Sequence, residues 1–302
     1  MSERITPNLT FVLAQASASA FEAALGAVAG GVQPHILAEH KAATVNLEGI
    51  AASSAAQNFQ ALRASYQQRL GALGIKADVC VQNADGMKKS LLICDMDSTL
   101  IGQECIDELA DFAGVKDRVS AITERAMRGE IGFDGALRER VGLLRGLKTE
   151  VLQRCFAERI TLNSGARTLC QTMKANGAKT AIVSGGFTFF TGQVAALCGF
   201  EHDQANRLID EGGELTGEVG TPILGREAKL EALKKYSSGA PLSALAIGDG
   251  ANDLAMIEAA GLGIAYYAKP AVAASAHCAI DHTELTTALY FQGYKREEFI
   301  ET

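Results

Sequence analysis

The chain has 302 residues, enough for two domains, and its 48% hydrophobic and 21% charged residues are typical of a protein with a sizeable core. A formal net charge of −7 without a long basic run argues against a protein that binds nucleic acid or an anionic membrane surface. The seven cysteines form no Cys-x-x-Cys pair, and several lie in apolar stretches, which favours reduced thiols and a cytoplasmic location.

Residues 1–84 are predicted to form a domain of their own. Hydrophobic periodicity predicts, in order, a strand, a helix, two strands, a long helix and a last strand: Leu9–Ala14, Ala18–Ala29, His35–Glu39, Ala43–Leu47, Ala55–Leu73 and Ala77–Val81. This βαββαβ order is the ferredoxin-like α+β layout. The polar segment Asn83–Ser90, with its Asp-Gly pair, is predicted to be a linker to a second domain over residues 85–302.

The segment Leu91–Glu104 begins with a short apolar run and continues into carboxylates. Leu91–Cys94 predicts a strand buried on both faces, and Asp95 and Asp97 at its C-terminal edge can point to the same side. Open α/β sheets bind their ligands at this edge. Two neighbouring acids repel each other, and a hard divalent cation relieves the repulsion. An alternative stays open, in which the strand is followed by a polar turn that caps the next helix.

A block of four candidate helices follows, without any strand: Cys105–Ala113, Asp117–Arg128, Phe133–Arg145 and Thr149–Ile160. A block of this length after the first strand is an insertion rather than a simple crossover connection. We therefore predict a helical cap at about residues 105–160 that lies over the strand ends as a lid.

From Ser164 onwards, strands alternate with helices, which predicts a doubly wound, mostly parallel α/β sheet. The predicted strands are Lys179–Val183, Leu242–Ile247, Ile264–Tyr267 and Cys278–Ile280, with a hairpin at Asn206–Val219. The predicted helices are Gly165–Ala175, Thr188–Cys198, Arg226–Tyr236, Asp253–Ala260, Pro270–Ala276 and Glu284–Gln292. The uncharged stretch Thr180–Phe200 contains Ser, Thr and four Gly, so a strand, a turn and a helix explain it better than a membrane span.

Polar clusters follow three of the predicted strands, and a helix that carries Lys229 precedes the third. The clusters are Asp95 with Asp97, then Ser184-Gly185-Gly186, and then Asp249, Asn252 and Asp253. A hydroxyl beside glycines lets backbone N–H groups approach an anion at a helix start. The chain has neither a P-loop nor a G-x-G-x-x-G motif. Each cluster taken alone is more often a turn or a solvated charge.

Together and in this order, the three clusters resemble the haloacid dehalogenase superfamily of phosphotransferases. The similarity covers roughly residues 85–299 and rests on DMDSTLIGQECIDELA, FDGALRERV, VSGGF, AKLEAL and GDGANDLAMI. Within the superfamily, the chain is most similar to the members that act on O-phosphoserine. The resemblance implies Mg²⁺-dependent hydrolysis of this small molecule to serine and phosphate through an aspartyl-phosphate, the last step of serine biosynthesis.

The resemblance also implies a role for each clustered residue. Asp95 is expected to be the nucleophile, and Asp97 the general acid and then the general base. The Mg²⁺ ligands are expected to be Asp95, the backbone carbonyl of Asp97 and Asp249. The groups expected to hold the phosphate oxygens are Ser184, the Gly185 amide, Lys229 and Asn252. Asp253 is expected to support the metal site, or to be an acid in the first turn of a helix.

Specificity is expected to come from the cap. By the same resemblance, Glu104 meets the substrate ammonium, and Arg140 grips its carboxylate through a guanidinium fork that matches that group. Met127 and Phe133 are expected to close the lid over the site.

Several alternatives stay open at this point. The phosphoryl acceptor could be homoserine or another alcohol rather than water, and a phospho-accepting amino-acid sensor that does not turn over would also use an Asp acceptor on a parallel sheet. The N-terminal βαββαβ unit is similar to small regulatory modules, which implies a homodimer contact or feedback by serine. A folded appendage that only aids solubility or stability is the other interpretation, because a fold analogy does not establish a site.

Overall fold

The computed structural model describes residues 6–47 and 58–301. The N-terminal part of the chain forms an antiparallel sheet. Its strands are β1 (Pro7–Leu13), β2 (His35–Ala38), β3 (Ala42–Asn46) and β4 (Ala77–Asn83), in the order β2-β3-β1-β4, and its helices are α1 (Ala18–Val28) and α2 (Phe59–Ala72). The side chains of Ser17 and Asn58 cap the two helices by accepting bonds from the N–H groups of Ala20 and Ala61. The predicted βαββαβ order is confirmed, although residues 55–57 of the long predicted helix lie outside the described residues.

The predicted buried strand and the helical insertion after it are both present. Strand β5 (Leu91–Cys94) has no exposed residue. The helices of the insertion are α3 (Cys105–Phe112), α4 (Lys116–Met127), α5 (Phe133–Gly142) and α6 (Glu150–Arg159). Their ends lie within three residues of the predicted bounds, which is ordinary for helix termini.

The rest of the chain builds a six-stranded sheet around β5. The further elements are α7 (Ala166–Ala175), β6 (Lys179–Phe187), α8 (Thr188–Cys198), β7 (His202–Asn206), β8 (Leu208–Glu211), β9 (Glu214–Val219), α9 (Arg226–Tyr236), β10 (Ala244–Gly248), α10 (Leu254–Ala259), β11 (Leu262–Tyr266), α11 (Pro270–Ser275), β12 (Cys278–Ile280) and α12 (Thr287–Phe291). The strand order is β12-β11-β10-β5-β6-β7, and every neighbouring pair is parallel. The predicted doubly wound sheet is confirmed.

Two details of this sheet differ from the prediction. Strand β6 does not end at Val183 but continues to Phe187, because a bulge takes up the Ser-Gly-Gly segment without ending the strand. Strand β7 was not predicted as part of the sheet, because it is an edge strand whose first residues, His202 and Asp203, are exposed and polar. The predicted hairpin is confirmed as β8 and β9, with a Gly212-Gly213 turn in which both glycines have positive φ.

The antiparallel sheet is covered on both faces. Leu9, Phe11 and Leu13 of β1 point to α1 and α2, whereas Val12 and the β4 residue Cys80 join the hydrophobic cluster of the parallel-sheet region. On this second face, β4 packs against β12 and β1 against α12. The N-terminal unit therefore shares a core with the rest of the chain, and the predicted domain boundary near residue 84 stays a prediction.

Asp78 is a polar link across this shared core. Its carboxylate accepts hydrogen bonds from the backbone N–H groups of Asp281 (2.9 Å) and His282 (3.2 Å) and from the hydroxyl of Thr283 (2.5 Å). These three residues form the loop after β12. Burial raises the pKa of Asp78, and the hydrogen bonds oppose that effect.

We expect Asp78→Ala to lower the free energy of unfolding by about 1–3 kcal/mol, because it leaves buried N–H and O–H donors without an acceptor. Chemical denaturation measures this value. Asp85→Ala, which removes an exposed carboxylate from the segment after β4, is the control and should change stability by less than about 0.5 kcal/mol. Equal effects of the two substitutions would contradict the linking role of Asp78.

All seven cysteines are buried, and none of them is paired in a disulfide, as predicted. Within the described ranges, no helix is both long enough and apolar enough to cross a lipid bilayer.

Candidate active site

The polar clusters meet at one edge of the parallel sheet because β5 lies between β10 and β6. The carboxyl ends of these three strands bring most of the predicted site residues to a single cavity of about 140 Å³. Nine predicted residues line it: Asp95, Asp97, Glu104, Phe133, Arg140, Ser184, Gly185, Asp249 and Asn252. A larger cleft of about 1240 Å³, lined by Lys41, Tyr267 and Glu284 among others, contains none of the predicted site residues.

Asp95 is held in a fixed position at the end of β5. Its N–H donates to the carbonyl of Ile247, and its Oδ1 accepts from the N–H of Met96 at 2.7 Å. Its Oδ2 lies 2.7 Å from Nζ of Lys229. With 5% of its surface exposed, Asp95 presents a carboxylate at the cavity wall whose orientation is set by two contacts, one to each oxygen.

Lys229 lies behind Asp95 rather than in the cavity wall. It is 1% exposed, and its Nζ also lies 2.5 Å from Oδ1 of Asp253, which is completely buried. Burial by itself lowers the pKa of Lys229, but the charges of Asp253 and Asp95 outweigh burial and raise it. The ammonium is therefore charged, and it compensates two carboxylates that would otherwise be buried without a partner.

Asp97 is a second carboxylate in the cavity wall, two residues after Asp95. Its Oδ1 accepts from the N–H of Cys105 at 3.0 Å, and its Oδ2 accepts from the hydroxyl of Ser184 at 3.3 Å. Burial raises the pKa of Asp97 to about 6, and the charge of Asp95 acts in the same direction. A carboxyl group with this pKa can both give and take a proton near neutral pH.

A group of three carboxylates fits a divalent cation. Oxygen atoms of Asp95, Asp249 and Asp253 lie within 4.8 Å of one another. The hydroxyl of Thr99 donates to Oδ1 of Asp249 (3.2 Å), and the N–H of Gly250 donates to Oδ2 of Asp253 (3.1 Å). Burial raises the pKa of Asp249 to about 6 and that of Asp253 to about 7, and Asp95 adds to both shifts. Hard oxygen ligands with excess negative charge are the donor set that Mg²⁺ prefers.

The Ser-Gly-Gly segment of β6 forms another wall of the cavity. Ser184 is 2% exposed, and its Oγ accepts from the N–H of Gly186 at 2.9 Å while donating to Asp97. The ring of Phe133 lies over Gly185, where a Cβ would come within 3.2 Å of its Cζ atom. A side chain at this position would require the Phe133 ring to shift by a few tenths of an ångström.

The cap contributes one acidic and one basic residue to the cavity wall. Glu104, at the start of α3, accepts a hydrogen bond from the hydroxyl of Ser98 at 2.7 Å. Burial raises the pKa of Glu104 to about 8, and the charge of Asp97 adds to the shift. Arg140 on α5 donates to the carbonyl of Ala136 (3.3 Å) and to the hydroxyl of Thr123 (3.4 Å), both neutral acceptors. Burial lowers the pKa of Arg140, against the effect of nearby acids.

Met127 is the predicted residue that the structure places away from the site. It is 66% exposed at the end of α4 and is not among the residues that line the cavity, so its role in closing the lid stays a prediction.

Two glycines that were not predicted as site residues also lie close to the acids of the site. A Cβ at Gly186 would collide with the Asp97 carboxylate, and a Cβ at Gly248 with that of Asp253. Their only sequence signal is that they are glycines next to chemistry-bearing residues.

Curated relatives match much of the chain. The phosphoserine phosphatase of Streptomyces coelicolor is 42% identical over 240 residues, which are 78% of this chain and 58% of that protein. The phosphoserine phosphatase of Archaeoglobus fulgidus is 49% identical over 185 residues, which are 60% of this chain and 54% of that protein. The chain thus spans little more than half the length of these two relatives.

Two solved structures superpose on different shares of this chain. A haloacid dehalogenase family hydrolase from Salmonella enterica serovar Typhi superposes with a TM-score of 0.80 at 27% identity. The superposition covers 95% of this chain and 98% of the hydrolase chain. A phospho-aspartyl intermediate analogue of a phosphoserine phosphatase superposes with a TM-score of 0.62 at 39% identity and covers 68% of this chain and 99% of its own.

The sequence model of haloacid dehalogenase-like hydrolases matches residues 92–258, more than half of the chain, and this range contains all the predicted site residues. The predicted fold class and the predicted resemblance are thereby confirmed. The chain belongs to the haloacid dehalogenase-like hydrolases.

Proposed function

We propose that this protein is an Mg²⁺-dependent phosphatase that hydrolyses O-phosphoserine to serine and phosphate in the last step of serine biosynthesis, in the cytoplasm. The observation that carries the proposal is one small cavity that is lined by Asp95 and Asp97 and also by Glu104 and Arg140. The related phosphoserine phosphatases support it, including the one solved as a phospho-aspartyl intermediate analogue.

The reaction begins with attack of the Asp95 carboxylate on phosphorus. A P–O bond to Asp95 forms, the bond to the serine oxygen breaks, and that oxygen takes a proton from Asp97. Asp97 then accepts a proton from water, which attacks phosphorus and releases phosphate and the free Asp95 carboxylate. Dividing the very slow hydrolysis of a monoester into two steps lowers the barrier of each.

Positive charge and hydrogen-bond donors hold the transferring phosphoryl group. Ser184, the Gly185 amide and Asn252 supply donors from the cavity wall, and Lys229 adds positive charge from behind Asp95. Mg²⁺ would be held by Asp95, the backbone carbonyl of Asp97 and Asp249, with support from Asp253, and would neutralise negative charge on the acids and the phosphoryl group.

The cap residues fit the amino-acid part of the substrate. Glu104 carries an acceptor for an ammonium group, and Arg140 carries a guanidinium whose observed partners are neutral oxygens. The ring of Phe133 lies over Gly185 in the wall of the same cavity. A cavity of about 140 Å³ suits a small phosphomonoester better than a protein or a nucleotide.

The test is phosphate release from a panel of phosphomonoesters, with Mg²⁺ and with a chelator. We expect O-phosphoserine to be the best substrate and the chelator to abolish release. Addition of homoserine separates the alternatives: phosphohomoserine as product would indicate transfer to an alcohol, and a long-lived phosphoprotein without release would indicate a sensor. No release from any ester with Mg²⁺ would refute the proposed function.

Arg140→Ala is expected to remove most of the preference for O-phosphoserine over phosphoethanolamine, which lacks the carboxylate. The loss of one partner of a buried ionic contact costs on the order of 2–5 kcal/mol, or roughly 30-fold or more in kcat/KM. Steady-state kinetics with both esters measures the ratio. Arg138→Ala removes an exposed arginine from the same helix and should leave the ratio unchanged. A wild-type protein that treats both esters alike would show that Arg140 has another role.

The N-terminal unit is part of the proposal only as a regulatory candidate. A homodimer contact and feedback by serine both stay predictions, and light scattering and serine inhibition of the full chain test them.

A further inference from the structure

Asn206 ends strand β7 and is buried, with 2% of its surface exposed. Its Nδ2 donates to the carbonyl of Gly185 at 2.9 Å and to the carbonyl of Leu224 at 3.3 Å. Its Oδ1 accepts from the N–H of Leu224 at 2.7 Å. The side-chain amide thus joins two backbone segments that are far apart in the sequence, and both of its N–H bonds are used.

The bulge in β6 explains why a side chain is needed at this point. Strands β6 and β7 pair regularly up to Val183, the register then shifts, and the next pair is Phe187 with Asn206. The Gly185 carbonyl falls inside the bulge, where the regular ladder is interrupted. The amide of Asn206 supplies the hydrogen bond that a regular neighbouring strand would supply.

Both polar groups of the peptide between Gly185 and Gly186 are therefore held by side chains. Asn206 binds its carbonyl, and the Oγ of Ser184 accepts from its N–H at 2.9 Å. A glycine pair has wide conformational freedom, so this peptide would otherwise have several orientations available. The Gly185 N–H, which belongs to the preceding peptide, and the Ser184 hydroxyl lie directly beside this peptide in the chain.

The second segment bound by Asn206 adds to the same site. Leu224 precedes Gly225, and a Cβ at Gly225 would lie 3.2 Å from the Cδ1 atom of Phe133. The ring of Phe133 also lies over Gly185. Asn206 thus forms hydrogen bonds with both of the glycine-containing segments that lie against the Phe133 ring.

We propose that Asn206 is a positioning residue that orients the Ser184-Gly185 segment for phosphate binding and holds it against the Leu224-Gly225 segment under Phe133. This inference rests on the proposed function, because it assigns the phosphate to the Ser-Gly-Gly segment. Asn206 itself is not among the residues that line the cavity, so it acts through the backbone of its partners.

The experiment uses Asn206→Leu, which has nearly the same size and removes all three hydrogen bonds. We expect the Kd of inorganic phosphate, measured by calorimetry with Mg²⁺, to rise about tenfold. The KM for O-phosphoserine should rise by a similar factor, with a smaller change in kcat. The reason is that the phosphate-binding segment loses one or two of the hydrogen bonds that align it. Asn206→His, which keeps a donor and an acceptor, should recover part of the phosphate affinity. Asn206→Ala, which leaves room for water, is measured instead if the leucine variant does not fold.

The matched control is Gln292→Met. Gln292 is also a buried amide, 1% exposed, that accepts from the N–H of Lys89 (3.0 Å) and donates to the carbonyl of Ala288 (3.1 Å), but it lies outside the cavity. Both variants should lose stability, and only the Asn206 variants should lose phosphate affinity. A phosphate Kd that changes less than about twofold at Asn206, or equally in both proteins, would overturn the inference. Wild-type protein that binds phosphate but does not hydrolyse O-phosphoserine would instead refute the proposed function, and the calorimetric comparison would still decide the role of Asn206.

Discussion

Replacing Asp95 with Asn is expected to lower the turnover of O-phosphoserine by a factor on the order of 10⁴ or more, because the loss of a covalent nucleophile removes the whole reaction path that uses it. The amide has nearly the same shape, so the hydrogen bond from the Met96 N–H can be kept. What the amide lacks is the negative oxygen that attacks phosphorus. Steady-state phosphate release measures the rate, and mass spectrometry of acid-quenched protein detects the phosphoenzyme.

The same measurements on Asp203→Asn provide the control. Asp203 is a carboxylate on the edge strand β7 that accepts a hydrogen bond from Thr191 at 2.6 Å, outside the cavity. Its substitution should leave both the rate and the phosphoenzyme intact. Normal turnover by the Asp95 variant, or phosphate bound to another residue of the wild-type protein, would remove Asp95 from the role of nucleophile.

Lys229→Met is expected to destabilise the protein by about 3–5 kcal/mol, because it leaves the buried carboxylates of Asp95 and Asp253 without their shared cation. The apolar replacement fills a similar volume, so the effect comes from charge rather than from a cavity. Denaturation in the presence of a chelator measures it without a metal ion that would offset the lost charge. Activity should be lost as well, since the ammonium also lies 2.7 Å from Asp95, the nucleophile that we propose.

Lys234→Met on the same helix is the matched control. Lys234 is half exposed and pairs with Glu231 at 2.8 Å on the surface, where an ion pair contributes about 0–1 kcal/mol. If both lysine variants lose the same small amount of stability, the buried pairs of Lys229 do not compensate Asp95 and Asp253 as we infer.

Local patterns in the sequence determined much of the fold. The apolar run Leu91–Cys94 is a buried strand, the helices of the insertion lie at the predicted places, and the N-terminal unit has the predicted βαββαβ order. These elements could be predicted because each depends on periodicity and turn residues within one short segment. The acids after β5 and β10 could be predicted to lie close together, because the carboxyl ends of parallel strands meet at the same edge of the sheet, where such sheets bind their ligands.

Contacts between distant segments were decided only by the tertiary structure. The sequence marks Lys229 as a helix cation, but only the fold places it between Asp95 and Asp253. Asn206 lies in a polar edge strand that has no clear strand pattern, and its role depends on a bulge in a neighbouring strand.

The packing of the N-terminal sheet was likewise decided by the tertiary structure. Alternation along β1 predicts that the strand has two faces, but it does not say that Val12 packs with the parallel-sheet region while Leu9 packs with helices. The sequence by itself therefore determined most of the elements and the polar clusters after the strands, because these follow from local periodicity, while the roles expected of the clustered residues follow from the family resemblance. The tertiary structure decided which charges compensate each other and which surfaces pack together, because burial and electrostatic energy depend on distances between residues that are far apart in the chain.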